Sequence, residues 1–513
     1  MPHAGGFVVG TRRGERFCRI RADPVRTPEL DPWSAQPTQP DAIPERPAAD
    51  QSANQGVRSI TASLRSESIF GGPRTALFWS LVGRAVIEDL CACDNTFSLQ
   101  EARVPDVHLD SDDVDILVGG EEFRIPCEIV LRQEASGPEV IFRLFGAPLQ
   151  VGMRVLLGSV SRFSLRFVKA AFQSDVFCVG GGAGADRVLE FKPFRDPVIV
   201  GSHEKLAYVR FDLINFPNFN PGRSEDWLDV AGAEWCVDIR PPRDSPDAEA
   251  AQSPFYSVTH SCTVRRANSS AFSSSTATEL LGILQDALSF AAGRWVGTAF
   301  VAGFDSDGDV GWKCWGVGRL HPRISEDGTW FDRHHGDSLP GVLCGALDLS
   351  RDSQRYNSFH AAVYWYVRSG ADRGGVDGGL ILLNTSLERL GWQRFVVEGT
   401  VCPDGRFEGL KKGAQLRCLL KYCRIPVAIP PKLAELAREA ATRSWEDGPR
   451  AVVETRNLLV HPTGNDHLPW HEAWMLARWY VELVLLRMLN FTGDYLNRTR
   501  ARAAGDVERV PWG

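Results

Sequence analysis

Apolar positions follow two regimes along the chain. From about residue 60 to 265 they come in short runs alternating with polar positions, the period of half-buried strands. Asp113–Val118 stops at Gly119-Gly120 and resumes as Glu122–Pro126, which reads as a hairpin. Val140–Phe145, Phe163–Val168, Tyr208–Ile214 and Trp235–Arg240 continue the series, at a spacing that suits an antiparallel sandwich or a barrel-like domain. The Gly180–Gly184 run lacks the Lys and Ser/Thr of a phosphate loop and reads as a hairpin turn. Residues 241–254, rich in Pro, Asp and Ala, read as an exposed loop.

A middle segment mixes the two periods. Thr276-Ala-Thr-Glu279 has capping-box spacing, so a helix is expected from Leu280 to Ala292. Asp305–Asp309 reads as a hairpin turn; its opening resembles a calcium loop, but Gly316 stands where the twelfth position requires Glu. Trp312, Trp315, Trp330 and Phe331 read as core or as a domain interface.

From about residue 351 the period is helical. Tyr356, Phe359, Val363, Tyr366 and Val367 stripe one helix, and Leu383, Leu387 and Leu390 a second, from Gly379 to Phe395. Lys432–Trp445 is amphipathic, with Glu439 and Arg443 four apart. Trp470–Phe491 is apolar on several sides, as in a bundle helix that also packs against a partner subunit; Glu472, Arg478, Glu482 and Arg487 argue against a membrane role.

Between these lies Pro449–Pro462, a short helix with Pro449 suited to its first turn and Pro462 biasing His461 away from helical geometry. Val452, Val453, Leu459 and Val460 form one stripe with Arg456 in its middle, and Asn457 and His461 share the adjoining edge with Glu454 beside them. A buried arginine needs a partner. Arg456 either pairs with Glu435, Glu439 or Glu482 of a neighbouring helix, or the stripe faces a cleft or second subunit. In the second case Arg456 binds an anion and His461 transfers protons. The Arg-to-His spacing recurs at Arg355 and His360, where His360 lies on the Tyr356/Val363 stripe and reads as a core histidine beside a solvated arginine.

Composition narrows the picture only a little. A chain of 513 residues, 43% apolar and 24% charged, is an ordinary globular one of two to four domains. A net charge of −7 means that a nucleic-acid partner must be met by a local surface. The 12 cysteines have no zinc-type spacing, Cys91 and Cys93 being too close and Cys418 and Cys423 lacking a second pair. They read as reduced, mostly buried thiols of a cytoplasmic protein. His334 and His335 diverge as neighbours, and Pro469 separates His467 from His471 and Glu472, so no metal or cofactor is expected. No stretch is long and apolar enough to cross a bilayer, and the N-terminus lacks the apolar core of a signal peptide.

Arg456-Asn-Leu-Leu-Val-His461 resembles the Arg-Asn-x-x-x-His signature of the HEPN superfamily, helical bundles that include metal-independent endoribonucleases. Together with Tyr364-Trp-Tyr366, Ser386–Trp392, Arg456–Pro462 and Glu482–Leu486, it makes residues 351–500 similar to the ApeA-like HEPN proteins of bacterial anti-phage abortive infection. The β-rich region is loosely similar to the N-terminal domains those proteins carry. The resemblance implies that two HEPN domains pair and that two Arg/His sets line one composite cleft. Arg456 would hold the scissile phosphate and His461 act as general base or acid during attack of the RNA 2′-OH. Asn457 would orient the histidine or a phosphate oxygen, and the ends would be 2′,3′-cyclic phosphate and 5′-hydroxyl. RNA, tRNA included, is the implied substrate, and a phage-derived trigger at the β-rich domain the implied switch.

The expected architecture is multidomain α+β. A disordered leader (1–58) precedes a β-rich antiparallel N-terminal domain (59–265) with a sensing or regulatory role. An α+β middle segment (266–350) and an all-α HEPN-like helical bundle (351–513) follow, the bundle forming a homodimer or higher oligomer through its C-terminal helices. Two functions compete: an RNA endonuclease of defence or toxin type, and a non-catalytic HEPN scaffold that binds a ligand or partner. Arg, Asn and His kept together favour the first; the acidic net charge and lack of an obvious basic stripe favour the second. A metal-dependent hydrolase using His334, His335 or His467 ranks third, and the part played by Glu454 stays open.

Overall fold

Alternating positions in the first half of the chain close into a barrel. The structure is a computed structural model describing residues 8–12, 15–19, 106–134, 137–157, 162–181, 187–194, 197–219, 228–241, 256–321, 329–370, 375–402, 404–461, 468–500 and 505–513. Within the expected leader, β1 (Val8–Arg12) and β2 (Glu15–Arg19) pair as an antiparallel hairpin. The remainder of that leader, Cys91, Cys93 and residues 242–255 of the expected loop lie outside the described residues.

The barrel strands are β3 (Val107–Val118), β4 (Glu121–Glu134), β5 (Gly137–Leu144), β6 (Phe163–Phe167), β7 (Phe172–Gly181) and β8 (Leu189–Pro193), closed in the order β3-β4-β5-β8-β7-β6. Their inward positions, among them Val114, Ile116, Ile129, Phe142, Leu165 and Phe191, are fully buried. Gly119 and Gly120 turn β3 into β4 with φ of 64° and 90°, the two left-handed positions that a tight hairpin needs. Helix α1 (Leu149–Leu157) packs Val151 and Val155 onto the barrel. β7 and β8 pair antiparallel around the expected Gly180–Gly184 turn, of which residues 182–186 lie outside the described residues.

The later strand runs join a different sheet. β9 (Val198–Val200), β10 (Tyr208–Ile214), β11 (Leu228–Ala231), β12 (Trp235–Arg240), β13 (Val258–Arg266), β14 (Gly297–Phe304) and β15 (Val310–Trp315) form a seven-stranded sheet in the order β11-β12-β13-β10-β14-β15-β9. Pairing of β10 with both β13 and β14 carries this sheet across residue 265. The Asp305 carboxylate closes the β14–β15 turn by accepting the N–H groups of Asp307 and Asp309, both at 2.9 Å. Trp312 and Trp330 are core, while Trp315 lies against Phe142 and Phe167 of the barrel, ring centres 6.3 and 5.6 Å away. Helix α2 (Ser274–Ala292) covers the sheet and begins earlier than expected. Its N-cap is Ser273, whose Oγ accepts the Thr276 N–H at 3.2 Å, so the Thr276–Glu279 pair lies inside the helix.

Helices α3 (Leu339–Leu349), α4 (Ser353–Ser369), α5 (Gly375–Trp392, running into a π turn at Gln393–Val397), α6 (Lys412–Tyr422), α7 (Ala434–Thr442), α8 (Gly448–Val460) and α9 (Trp470–Met488) follow. The chain ends in a short antiparallel pair, β16 (Asp494–Tyr495) and β17 (Glu508–Arg509). The protein is thus multidomain, with a β-rich N-terminal part and a C-terminal helical region, and one hydrophobic core runs from the seven-stranded sheet into the helices. Leu483, Leu485 and Leu486 of α9 are fully buried, covered by α3, α4, α5, α7 and α8 of the same chain. Helices distant in sequence thus wrap the apolar sides that a single wheel leaves unexplained. Among the described residues no helix is long and apolar enough to cross a membrane.

The cysteines also depart from the reading as thiols. Cys402 and Cys418 form a disulfide, because the chain after α5 folds back along α6 and brings their Cα atoms to 6.4 Å. Cys127, Cys178, Cys236, Cys262 and Cys423 are free thiols.

Glu482, in the middle of α9, is 0% exposed. It accepts the Tyr366 hydroxyl of α4 at 2.6 Å and the Arg498 Nε of the C-terminal segment at 2.9 Å. Arg478, one turn back and 1% exposed, lies 3.8 Å from it, with its guanidinium over the rings of Tyr366 (4.6 Å) and Trp474 (5.3 Å). Removing the carboxylate takes the counter-charge from two buried guanidiniums. E482A is therefore expected to lower stability by about 3–5 kcal/mol, read from urea denaturation followed by tryptophan fluorescence.

Candidate functional site

Helix α8 starts and stops where its prolines place it. Asp447 caps it, accepting the Arg450 N–H at 3.0 Å, and Pro449 stands in the first turn. Arg417 of α6 pairs with the capping carboxylate from outside. His461 ends the helix at φ −128° and ψ 73° while its N–H still reaches the Asn457 carbonyl at 2.8 Å. Pro462 lies outside the described residues.

The buried face of α8 is not the stripe that the apolar residues outline. Gly448, Ala451, Val452, Val453 and Thr455 are buried, whereas Leu459 is half-buried and Val460 exposed. Small residues let the helix approach α9 closely: a Cβ on Gly448 would meet the Tyr480 hydroxyl at 2.2 Å and the Val427 carbonyl at 3.0 Å. The inward line therefore passes through Thr455, and Arg456 falls at its edge, half-buried.

No carboxylate meets Arg456 among the described residues. Of the three partners considered, Glu439 pairs with Arg443, Glu482 with Arg498, and Glu435 is exposed. The guanidinium instead turns toward Asn457, Nη1 donating to Oδ1 at 3.2 Å, while Nε is buried without a hydrogen-bond partner. Asn457 and His461 stand one turn apart, and His461 is exposed. The structure thus brings the three residues to one edge of one helix end. The guanidinium keeps donors for an anion, and an imidazole stands beside it. Glu454 is tied to Arg450 at 2.9 Å, a surface i,i+4 pair.

The second Arg-to-His spacing has a different fate. His360 is not a core histidine: its side chain is 48% exposed and its Nδ1 lies 2.7 Å from Oδ2 of buried Asp286 on α2. The same oxygen accepts the Tyr356 hydroxyl at 2.6 Å. The Asp286 hydrogen bond raises the His360 pKa, and burial beside that carboxylate raises the Tyr356 pKa. Arg355 pairs with Glu398 at 3.4 Å. The missed signal was Asp286, a lone acid inside the apolar second half of α2.

The proposed metal residues are otherwise engaged. His335 Nε2 is 3.1 Å from the Gly505 carbonyl and His471 stacks on Trp474, while His334 donates only its backbone N–H, to Asp332. His467 lies outside the described residues. Among the described residues no three His, Cys, Asp or Glu side chains converge. A cavity of about 540 Å³ opens between α2 and strands β9, β14 and β15, lined by Leu281, Gly282, Val301, Trp312, Val317 and Arg319.

Three outcomes follow from these contacts. Arg456→Ala breaks no ion pair among the described residues and is expected to lower stability by less than about 1 kcal/mol in urea denaturation. Gly448→Ala is expected to cost about 1–3 kcal/mol by overpacking, with part of that loss recovered in G448A/Y480F, since Tyr480→Phe removes a hydroxyl that is buried without a partner. The His360–Asp286 pair contributes fully below about pH 6.5, the ordinary histidine value, and its contribution fades as pH rises through the raised folded pKa. Melting temperatures measured against pH are expected to lose that component in H360A.

Residues 201–325 match the family model of the YopA central domain, and residues 352–509 match that of the YopA C-terminal domain. The chain is 24% identical over 263 residues to the SPbeta prophage-derived uncharacterized protein YopA of Bacillus subtilis (strain 168). That alignment covers 50% of this chain and 58% of the relative, so the chain spans under two thirds of the protein it matches. No solved structure matches it. Over its central and C-terminal parts, then, the chain is similar to YopA.

Proposed function

We propose that the helical region is a HEPN-like, metal-independent endoribonuclease of defence or toxin type that works in the cytoplasm as a dimer. The observation that carries this reading is Arg456, which meets no carboxylate among the described residues and is turned toward Asn457 beside the exposed His461. A scissile phosphate seated there gains a fixed guanidinium against the charge that develops as phosphorus becomes five-coordinate. The 2′-oxygen forms a bond to phosphorus as the bond to the 5′-oxygen breaks. One imidazole takes the 2′-OH proton while a second donates a proton to the departing 5′-oxygen. A single His461 cannot do both in one step, so two copies of the helix must share the cleft. The prophage origin of the YopA relative fits a setting of conflict between phage and host. The activating signal belongs to the β-rich part, where the 540 Å³ cavity is large enough for a small molecule.

A scaffold that binds a partner without cleaving RNA is the second reading, favoured by the lack of any carboxylate orienting His461 among the described residues. Incubation with total RNA and tRNA in EDTA separates the two. Wild type is expected to leave 2′,3′-cyclic phosphate ends, and R456A and H461A to lose at least about a hundredfold in rate. Intact RNA together with growth unaffected by expressing wild type would select the scaffold. Light scattering at micromolar concentration is expected to give a dimer, and a strict monomer would remove the composite cleft.

A further inference from the structure

Three separate segments bring cationic side chains to one face at the junction of the seven-stranded sheet and α4. His360, Tyr364 and Arg368 lie four apart on α4 and so share a face. The Arg319 guanidinium lies over the rings of Tyr364 (5.1 Å) and Trp295 (5.3 Å), which restrict its direction. Its charge bears on His360, which Asp286 holds from below. Next along the face stands His321, whose pKa is lowered by burial and by the charges of Arg368 and Arg294. Arg294 is anchored through Nη2 to the Asn215 carbonyl at 3.0 Å. Arg319 and Arg368 are exposed, and neither meets a carboxylate among the described residues.

We propose that this face is a docking surface for single-stranded RNA, with Arg319, Arg368 and His360 taking successive phosphates of the backbone. It deepens the nuclease reading and rests on it only for the choice of RNA over another polyanion. The chemistry fits a phosphodiester chain. The guanidinium forks offer paired donors, the half-exposed imidazole of His360 stands beside them, and the two rings hold the Arg319 guanidinium in place. A chain of net charge −7 gives RNA no overall attraction, so a local cationic patch sets where the strand lands.

The test uses the full chain carrying His461→Ala, so that RNA stays intact, and fluorescence anisotropy of a labelled 20-nucleotide uridine strand in about 50 and 200 mM salt. Arg319→Gln with Arg368→Gln is expected to weaken binding about tenfold or more and to lower the slope of log K against log salt by about 1.4, two phosphate contacts at about 0.7 each. Both residues are exposed, and an unchanged melting temperature would show the double variant folded. Equal binding by the double variant, or no binding by its parent, would overturn the proposal. So would a 20-residue polyglutamate that binds as tightly as the RNA at the same residues, pointing to an acidic protein partner. Patch-dependent binding with neither cleavage nor a growth defect from wild type would sink the nuclease reading and leave the surface standing. Cleavage with patch-independent binding would do the reverse.

Discussion

A single carboxylate with no access to water holds the helical region together. Glu482 receives a tyrosine hydroxyl from α4 and a guanidinium from the C-terminal segment, and a second guanidinium lies one turn away on its own helix. An unpaired charge at such depth would be costly, so the elements that supply its partners cannot drift independently. Arg478 leaves the cluster with a surplus positive charge, spread over the faces of Tyr366 and Trp474 where no hydrogen-bond acceptor reaches it. With α9 fixed in this way, α8 is placed by its close approach at Gly448. The edge that carries Arg456, Asn457 and His461 thus inherits its position from a charge cluster with which it shares no hydrogen bond.

Much of this was legible in local chemistry. The Gly119-Gly120 pair names its own turn because few other residues take two left-handed positions in succession. The ends of α8 follow from Pro449 and from the residue before Pro462. The register of α8 was not legible. Counting apolar residues gave weight to Leu459 and Val460, while the true buried face includes Gly448, Ala451 and Thr455, small residues of which Gly448 sits against the Tyr480 hydroxyl. Strand alternation likewise gives a face and no sheet, so nothing in Tyr208–Ile214 said that it would leave the barrel for a second sheet. The Cys402–Cys418 bridge and the basic face around Arg319 have one cause in common. Each is assembled from segments whose separation in sequence carries no period.

The two histidines that follow an arginine by five positions end in complementary states. His461 is exposed at a helix end beside a guanidinium. His360 is held by a buried acid among other cationic groups. The first has the freedom that proton transfer requires once a substrate supplies its hydrogen bonds; the second has a fixed direction suited to holding an anion in place. A sequence pattern therefore identifies a pair of residue types and leaves their work to whatever the fold sets opposite them.

One short strand bears on how the molecule can be divided. β9 (Val198–Val200) pairs with Lys313–Trp315 and covers the outer edge of β15. It lies just before residue 201, where similarity to the YopA central domain begins. A fragment cut at that position would leave β15 with an open row of backbone donors and acceptors, a template for strand addition between copies. It would also uncover Trp315, which in the whole chain sits against barrel phenylalanines. The unit whose sheet edge is covered is therefore longer than the unit that sequence similarity outlines.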